Sequence, residues 1–474
     1  MTTDFRPPKK KNNALSKQRI RIVEICSILL CLVFVTFFSG KYLVSPYFSA
    51  EKKGTKNSIT YNAIKDYVVE GDIIDRNESL IMGNASAGAS SYADYPENES
   101  YAYLLGYYSV NSGKENTYGL RGNLKDYSLF HLDANNKGAT VQLTTDNDLQ
   151  DYAYALLGNQ EGSITVIDNK TGAILALASH STITYDVNDI NSLLLSDVEG
   201  SNYRRGTFEN DPPGSTFKIV TAAAALEKQE EEGFDDSYFD FTDTGSYLPA
   251  GSDWTITNYE NVAYGDVDLE TAMNKSINCY FADLGIRIGG EALAKTSAAF
   301  MVGKDIDIPF LTTLHSKIDV DASSQNDEIA QTSFGQGHTQ ITPVHLALIA
   351  QAIANDGVMM SPYIVSKIYD NSLPLYQHIN HKLSKATDET VCEKLKTILH
   401  STAEGYGLDE ANYGMVYAKT GTAECANDRI HTYLVGFTES ASFCISLNNS
   451  DHSYLLYPYA QQIVSKINAI YANN

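Results

Sequence analysis

Pro212-Pro213-Gly214-Ser215-Thr216-Phe217-Lys218 is followed at once by the alanine-rich apolar run Ile219 to Leu226, an order that few folds accommodate. Two prolines and a glycine cannot continue regular structure, whereas Ile219, Val220, Ala223 and Leu226 recur at helical spacing. The stretch is therefore predicted to be a turn feeding a helix, with Ser215 at or near the helix N-terminus. Unsatisfied N–H groups and the positive end of the dipole would surround that hydroxyl and favour an alkoxide or an oxyanion. Lys218 lies about one turn along the same face, close enough to take the serine proton if burial and neighbours lower its pKa. Serine and lysine so placed are a nucleophile with its base.

At 474 residues, 43% apolar and 20% charged, the chain has material for two or three modules. Charge divides it. Seven basic residues against Asp4 give the first 21 residues a net +6, which leaves −29 of the total −23 for the remainder. A basic tail before an apolar run reads as cytoplasmic, placing the acidic remainder outside the membrane, and an acidic body argues against nucleic-acid binding. Ile25 to Gly40 holds 16 residues without a charge, and apolar character continues through Val44. This span is read as an uncleaved anchor over 22–44 with Glu24 and Lys41 at the interfaces; a cleaved signal peptide is the alternative, but no clean small-x-small site follows. Cys279, Cys392, Cys425 and Cys444 show neither disulfide framework nor Cys/His metal spacing, so they are read as packing residues and no metal is expected.

The remaining boundaries follow from texture. Residues 1–21 are the tail, 45–60 a polar linker, 61–137 a non-catalytic N-terminal module and 138–474 a catalytic domain. Gly71 to Glu78 reads as strand and turn, and Tyr101 to Tyr107 as a strand. Ala139–Thr144 is predicted to be a strand, Asp146–Leu157 a helix, and Ser163–Ser179 two strands joined at Asp168-Asn169-Lys170-Thr171-Gly172. Tyr459–Asn474 carries one apolar helical face. Strands, helix and strands in that order indicate an α+β sheet domain.

Short motifs are individually cheap. Serine-x-x-lysine occurs at Ser49/Lys52 and Ser215/Lys218; serine-x-asparagine at Ser109/Asn111, Ser276/Asn278, Ser324/Asn326 and Ser446/Asn448; lysine-threonine-glycine at Lys170 and Lys419. Order and context select Ser215/Lys218, Ser276/Asn278 and Lys419-Thr420-Gly421, which lie 61 and 143 residues apart. Together with Phe334-Gly335-Gln336-Gly337, Thr342-Pro343 and the extension Thr422-Ala423-Glu424, they resemble the penicillin-binding proteins, the active-site-serine penicillin-recognising enzymes. Gly71 to Asn77 resembles the junction motif of the monofunctional, class B transpeptidases. His431-Thr432-Tyr433-Leu434 stands where that family commonly has His-x-Trp-Phe.

The resemblance implies the penicillin-binding transpeptidase fold, α+β with a central antiparallel sheet flanked by helices and an all-helical part, beside a small N-terminal module and one transmembrane helix. It implies a D,D-transpeptidase that crosslinks peptidoglycan through an ester on Ser215, with β-lactams as inhibitors and no cofactor. Lys218 would be the base and Lys419 the charge that crowds it. Ser276 would relay a proton to the leaving amine, and Asn278 would hold Lys218 and the substrate backbone. Thr420 and Thr422 would bind the substrate carboxylate, Gly421 would leave room for the ligand, and the N–H groups of Ser215 and Thr422 would form the oxyanion hole. The partner implied is a multi-spanning glycosyltransferase of the shape, elongation, division and sporulation (SEDS) type. Two other readings stay open: a D,D-carboxypeptidase or β-lactamase in which water replaces the acceptor amine, and a non-enzymatic β-lactam sensor or division-complex scaffold.

Overall fold

The computed structural model describes residues 29–33, 69–83, 99–111, 114–128, 137–180, 204–370, 373–425 and 429–471. In chain order the strands that build its larger sheets are β1 (Ile73–Ile74), β2 (Leu80–Met82), β3 (Thr140–Leu143), β4 (Gly162–Asp168), β5 (Ile174–His180), β6 (Val365–Asp370), β7 (Leu373–Gln377), β8 (Tyr417–Glu424), β9 (Ile430–Phe437) and β10 (Ala441–Asn448). The helices that frame the site or the sheet are α1 (Asn147–Leu157), α2 (Lys218–Glu232), α3 (Leu269–Lys275), α4 (Asn278–Ile288), α5 (Pro343–Ala354), α6 (Glu389–Glu404) and α7 (Tyr457–Tyr471).

β4 and β5 form the expected hairpin, and every pairing in the sheet they belong to, β8-β9-β10-β4-β5, is antiparallel. Both faces of this sheet are covered, so its strands are apolar at successive positions rather than alternately. On β9, Tyr433, Val435 and Phe437 enter one core, while Leu434 points to the other. Helix α5 covers the first face, against β4, β9 and β10; α1 and α7 cover the second. Helix α1 starts where Asp146 accepts a hydrogen bond from Leu149 N at 3.2 Å, and α5 starts with Thr342 as its cap and Pro343 in its first turn. The α+β class and the central antiparallel sheet are as expected.

One expectation changes. Residues 101–107 do not form a single strand: Glu99–Tyr101 is a 3-10 turn and Ala102–Leu105 a helical turn, ended by Gly106 at φ 63°. Tyr101 to Leu105 are all buried, so the turn is covered on every side, and the Tyr101 hydroxyl donates to Asn147 Oδ1 at 2.6 Å. The boundary near residue 137 runs between strands of one sheet, of order β7-β6-β3-β1-β2, in which β1 pairs in parallel with β3. By contacts the chain forms two compact units, Met1–Ala63 and Ile64–Asn474.

Within the first unit only residues 29–33 are described, and they are helical. Among the described residues no helix is long and apolar enough to cross a membrane; the rest of the expected 22–44 span, the 1–21 tail and the 45–60 linker lie outside the described residues. The described cysteines Cys31, Cys279, Cys392, Cys425 and Cys444 are free, and Cys279, Cys392 and Cys444 are buried as packing residues.

The fold positions the serine turn by packing backbone on backbone. Gly214 N donates to Gly335 O at 2.9 Å, and a Cβ on Gly335, whose φ is 78°, would lie 2.0 Å from Gly214 O. A Cβ on Gly421 of β8 would lie 2.6 Å from Pro213 O and 2.9 Å from Thr216 Cγ2. The space that Gly421 leaves is thus taken by the serine turn, not by the ligand. Gly421→Val is accordingly expected to destabilise the protein, by about 1–3 kcal/mol on the usual scale of overpacking, and to lower its melting temperature. A variant that melts like the parent would contradict this packing.

A buried ion pair secures the segment before β1. Arg121 Nη2 donates to Glu70 Oε2 at 2.6 Å and Arg121 Nε to Glu70 Oε1 at 3.1 Å, with side chains 0% and 1% exposed. Glu70→Ala removes two charge-assisted hydrogen bonds from a buried guanidinium, and the expected loss is about 1.5–3 kcal/mol, read as an earlier midpoint in denaturant unfolding. An unchanged midpoint would show that this segment opens independently of the rest.

Candidate active site

Ser215 sits in a 3-10 turn, Gly214–Phe217, that runs directly into α2, whose first residue is Lys218. The turn-to-helix reading therefore holds, with one tighter turn inserted before the α-helix proper. Thr216 Oγ1 donates to Pro213 O at 2.8 Å and closes the turn, leaving Ser215 half-buried between buried Gly214 and Thr216.

The second motif is made by a chain reversal. Helix α3 ends with Ser276 N donating to Met273 O at 3.1 Å and Ile277 N to Ala272 O at 2.9 Å, a Schellman closure that puts Ser276 at φ 56°, ψ 43°. A left-handed non-glycine residue costs on the order of 1–3 kcal/mol, so the surroundings must hold it. Asn278 then opens α4. The result is three oxygens turned to one nitrogen: Lys218 Nζ donates to Ser276 O and to Asn278 Oδ1, both at 2.8 Å, and lies 3.3 Å from Ser276 Oγ.

Lys419 reaches the same hydroxyl from the middle of β8, with Nζ 3.0 Å from Ser276 Oγ and 3.0 Å from Thr420 O. Both lysines are fully buried. Burial drives the Lys218 amine well below the ordinary lysine value, and the neighbouring Lys419 charge pushes it further the same way. Lys419 is brought down to about 7 by burial. Lys419 crowds Lys218 as expected, yet desolvation is the larger cause. A neutral Lys218 can give its two hydrogens to Ser276 O and Asn278 Oδ1, which leaves its lone pair for a hydroxyl proton.

The other β8 residues separate. Gly421 faces the serine turn, as described above. Thr420 is 7% exposed; its N and Oγ1 donate to Tyr406 Oη at 3.2 and 3.1 Å. Its hydroxyl is therefore already engaged, and Thr422, which is exposed, is the threonine open to a ligand. β8 is an edge strand, so the Thr420 N–H leaves the sheet for Tyr406, and the N–H of Thr422, two residues on, points the same way. A Cβ on Gly214 would lie 2.3 Å from Thr422 O, which brings the Thr422 backbone beside Ser215.

Sequence reasoning missed Tyr406 and Asn258. Asn258 Nδ2 donates to Asp243 Oδ2 at 2.8 Å and to Val262 O at 2.9 Å, while Oδ1 accepts from Cys279 N at 3.1 Å. It thereby holds the loop whose Thr257 O accepts from Asn278 Nδ2 at 3.2 Å. Neither residue lies in a recognisable motif, so no local signal pointed to them. The out-of-order matches stay apart: Ser446 pairs with Ser163 inside the sheet at 2.8 Å, Asn326 donates to Ala250 O, and Lys170 lies in the turn after β4. Ser49/Lys52 lies outside the described residues. The eight expected site residues include no carboxylate, imidazole or thiol, so this cluster is not itself a metal site.

Residues 162–469 match the penicillin binding protein transpeptidase domain. The chain is 30% identical over 379 residues to peptidoglycan D,D-transpeptidase PbpA of Mycobacterium tuberculosis, covering 71% of this chain and 73% of that one. It is 28% identical over 313 residues to peptidoglycan D,D-transpeptidase MrdA of Haemophilus influenzae, covering 60% of this chain and 46% of that one. Penicillin-binding protein A from M. tuberculosis, solved as an imipenem acyl-enzyme complex, superposes with a TM-score of 0.75 at 23% identity, over 85% of this chain and 99% of that structure. A match spanning the serine turn, the Ser276 reversal and the Lys419 strand together leaves one assignment: the chain belongs to the penicillin-binding protein transpeptidase family.

Proposed function

We propose that this chain is a peptidoglycan D,D-transpeptidase that acts through a serine acyl-enzyme and is acylated by β-lactams. The observation that carries the reading is the convergence of two fully buried lysines on Ser276, with Lys218 one turn from a half-buried Ser215. Neutral Lys218 takes the Ser215 proton as Oγ attacks the carbonyl carbon of the penultimate D-alanine. The carbonyl oxygen becomes an oxyanion beside the N–H groups of Ser215 and Thr422. Ser276 passes a proton to the leaving nitrogen, the terminal D-alanine departs as a free amine, and the stem peptide is left as an ester on Ser215. The acceptor amine reverses these steps, losing its proton as it attacks the ester and returning one to Ser215. Thr422 meets the substrate carboxylate, with Lys419 supplying positive charge nearby.

PbpA and MrdA, the relatives named above, support the substrate by their names. Residues 22–44 anchor the chain in the cell membrane as a single pass, with the catalytic unit outside the cytoplasm, a reading supported by the basic tail before the uncharged run. A multi-spanning glycosyltransferase of the SEDS type supplies the glycan strands, a partner that the family resemblance implies.

Ser215→Ala is expected to abolish fluorescent-penicillin labelling while leaving the melting temperature near that of the parent. Labelling equal to the parent would refute the nucleophile. Because Lys218 must be neutral to act, acylation slows as pH falls through its lowered pKa. Lys419→Met removes the like charge that helps hold that pKa down, so the acid limb of the acylation rate should move to higher pH. A limb that stays in place would separate Lys419 from the tuning of the base.

A further inference from the structure

Outside the catalytic cluster, Asp211, Cys425 and His431 each turn one donor atom toward a common point, and the three atoms lie within 4.8 Å of one another. They arrive from three segments. Asp211 precedes the Pro212-Pro213 turn that carries Ser215 and bridges to Ile341; Cys425 immediately follows β8; His431 is the second residue of β9. Cys425 N donates to Arg429 O at 2.8 Å, drawing together the two ends of the β8–β9 connection.

His431 supplies a second, independent sign of a ligand. Its side chain is 1% exposed, and among the described residues neither ring nitrogen has a partner at full hydrogen-bond geometry; the side chains facing it are Asp211, Cys425 and Glu209. Nδ1 has only ion-pair contacts, 3.2 Å to Asp211 Oδ2 and 3.9 Å to Glu209 Oε1. Buried imidazoles in folded proteins have partners, and one without them is explained by an ion or a water. Glu209 Oε2 and Asn448 Oδ1, whose residues touch each other beside His431, are also buried without partners. Arg205 Nη1 lies 3.2 Å from Glu209 Oε1 and Arg205 Nη2 3.2 Å from Glu161 Oε1, so this guanidinium is shared by two carboxylates other than Asp211. With the Cys425 proton displaced on binding, Asp211 and Cys425 would together offer two negative charges to one divalent cation.

We propose that Asp211, Cys425 and His431 bind a single divalent transition-metal ion of the zinc class. One carboxylate oxygen, one thiolate sulfur and one imidazole nitrogen form a borderline-soft set suited to tetrahedral zinc and unsuited to magnesium or calcium, which take oxygen ligands. Asp211 and Cys425 are half-buried, so a fourth position is open to water. Binding displaces the Cys425 thiol proton to solvent. The ion would join the segment leading into the serine turn to both strands of the hairpin that carries Lys419. It takes no part in the acyl transfer proposed above and stands apart from that reading. Sequence spacing indicated no metal because Cys425 and His431 lack a paired-cysteine pattern, and Asp211 reaches them only through the fold.

The full chain in detergent, stripped with chelator, is titrated with cobalt(II) and zinc chloride. The expected result is about one ion per chain, a thiolate-to-cobalt absorption band, and a melting temperature raised by zinc. Cys425→Ser and His431→Ala should lose the band, and Cys279→Ser should keep it. Zinc should also slow alkylation of Cys425 in the unmodified chain, read by peptide mass spectrometry, a measurement that needs no variant to fold. Substoichiometric metal, a band that survives Cys425→Ser, or alkylation of Cys425 at the same rate with and without zinc would overturn the site.

Discussion

Two lysine side chains cannot both stay charged without cost when neither touches water and both contact one serine hydroxyl. Lys218 and Lys419 are each 0% exposed, and their Nζ atoms lie 3.3 and 3.0 Å from Ser276 Oγ, hence at most about 6.3 Å from each other. At an effective dielectric of about 20, like charges at that separation repel by roughly 2–3 kcal/mol, and the loss of hydration adds to this. The pair relieves that cost by giving up a proton: burial lowers both amines, and the Lys419 charge lowers Lys218 further below its ordinary value. A deprotonated amine one turn from a serine hydroxyl is what acyl transfer at neutral pH requires.

The rest of the site serves to hold that pair in place. The Schellman reversal at Ser276 turns a backbone carbonyl and a hydroxyl toward Lys218 at once, and Asn278 adds the third oxygen. Asn258 and the Asp243 carboxylate behind it keep the neighbouring loop on Asn278. On the other side, Gly335 and Gly421 let two backbones approach the serine turn more closely than any side chain would permit. Tyr406 occupies the Thr420 hydroxyl and N–H, which fixes the edge strand and leaves Thr422 facing outward.

Features that depend on a few neighbouring residues were legible in the sequence. The prolines, the glycine and the apolar spacing marked the Ser215 turn and its helix; Asp168 to Gly172 marked the β4–β5 hairpin; Asp146 and the period after it marked α1. Order and separation of the three motifs then selected Ser215/Lys218, Ser276/Asn278 and Lys419 from their chance matches. What was not legible depends on partners distant in the chain. Gly421 reads as a ligand-facing gap until Pro213 is seen to fill it, Thr420 reads as a carboxylate ligand until Tyr406 is found on it, and residues 101–107 read as a strand because apolar residues in a short run suit either period. The pairing of β1 with β3 across residue 137 likewise joins segments distant in the chain.

The shared charge of the lysine pair can be measured directly. NMR of the Ser215→Ala protein carrying lysine labelled at Cε would follow the two buried amines through a pH titration, with assignment by Lys218→Met and Lys419→Met. The account predicts that both amines lose their protons well below the ordinary 10.5, Lys419 at about 7. Both resonances titrating near 10.5, as exposed lysines do, would contradict it.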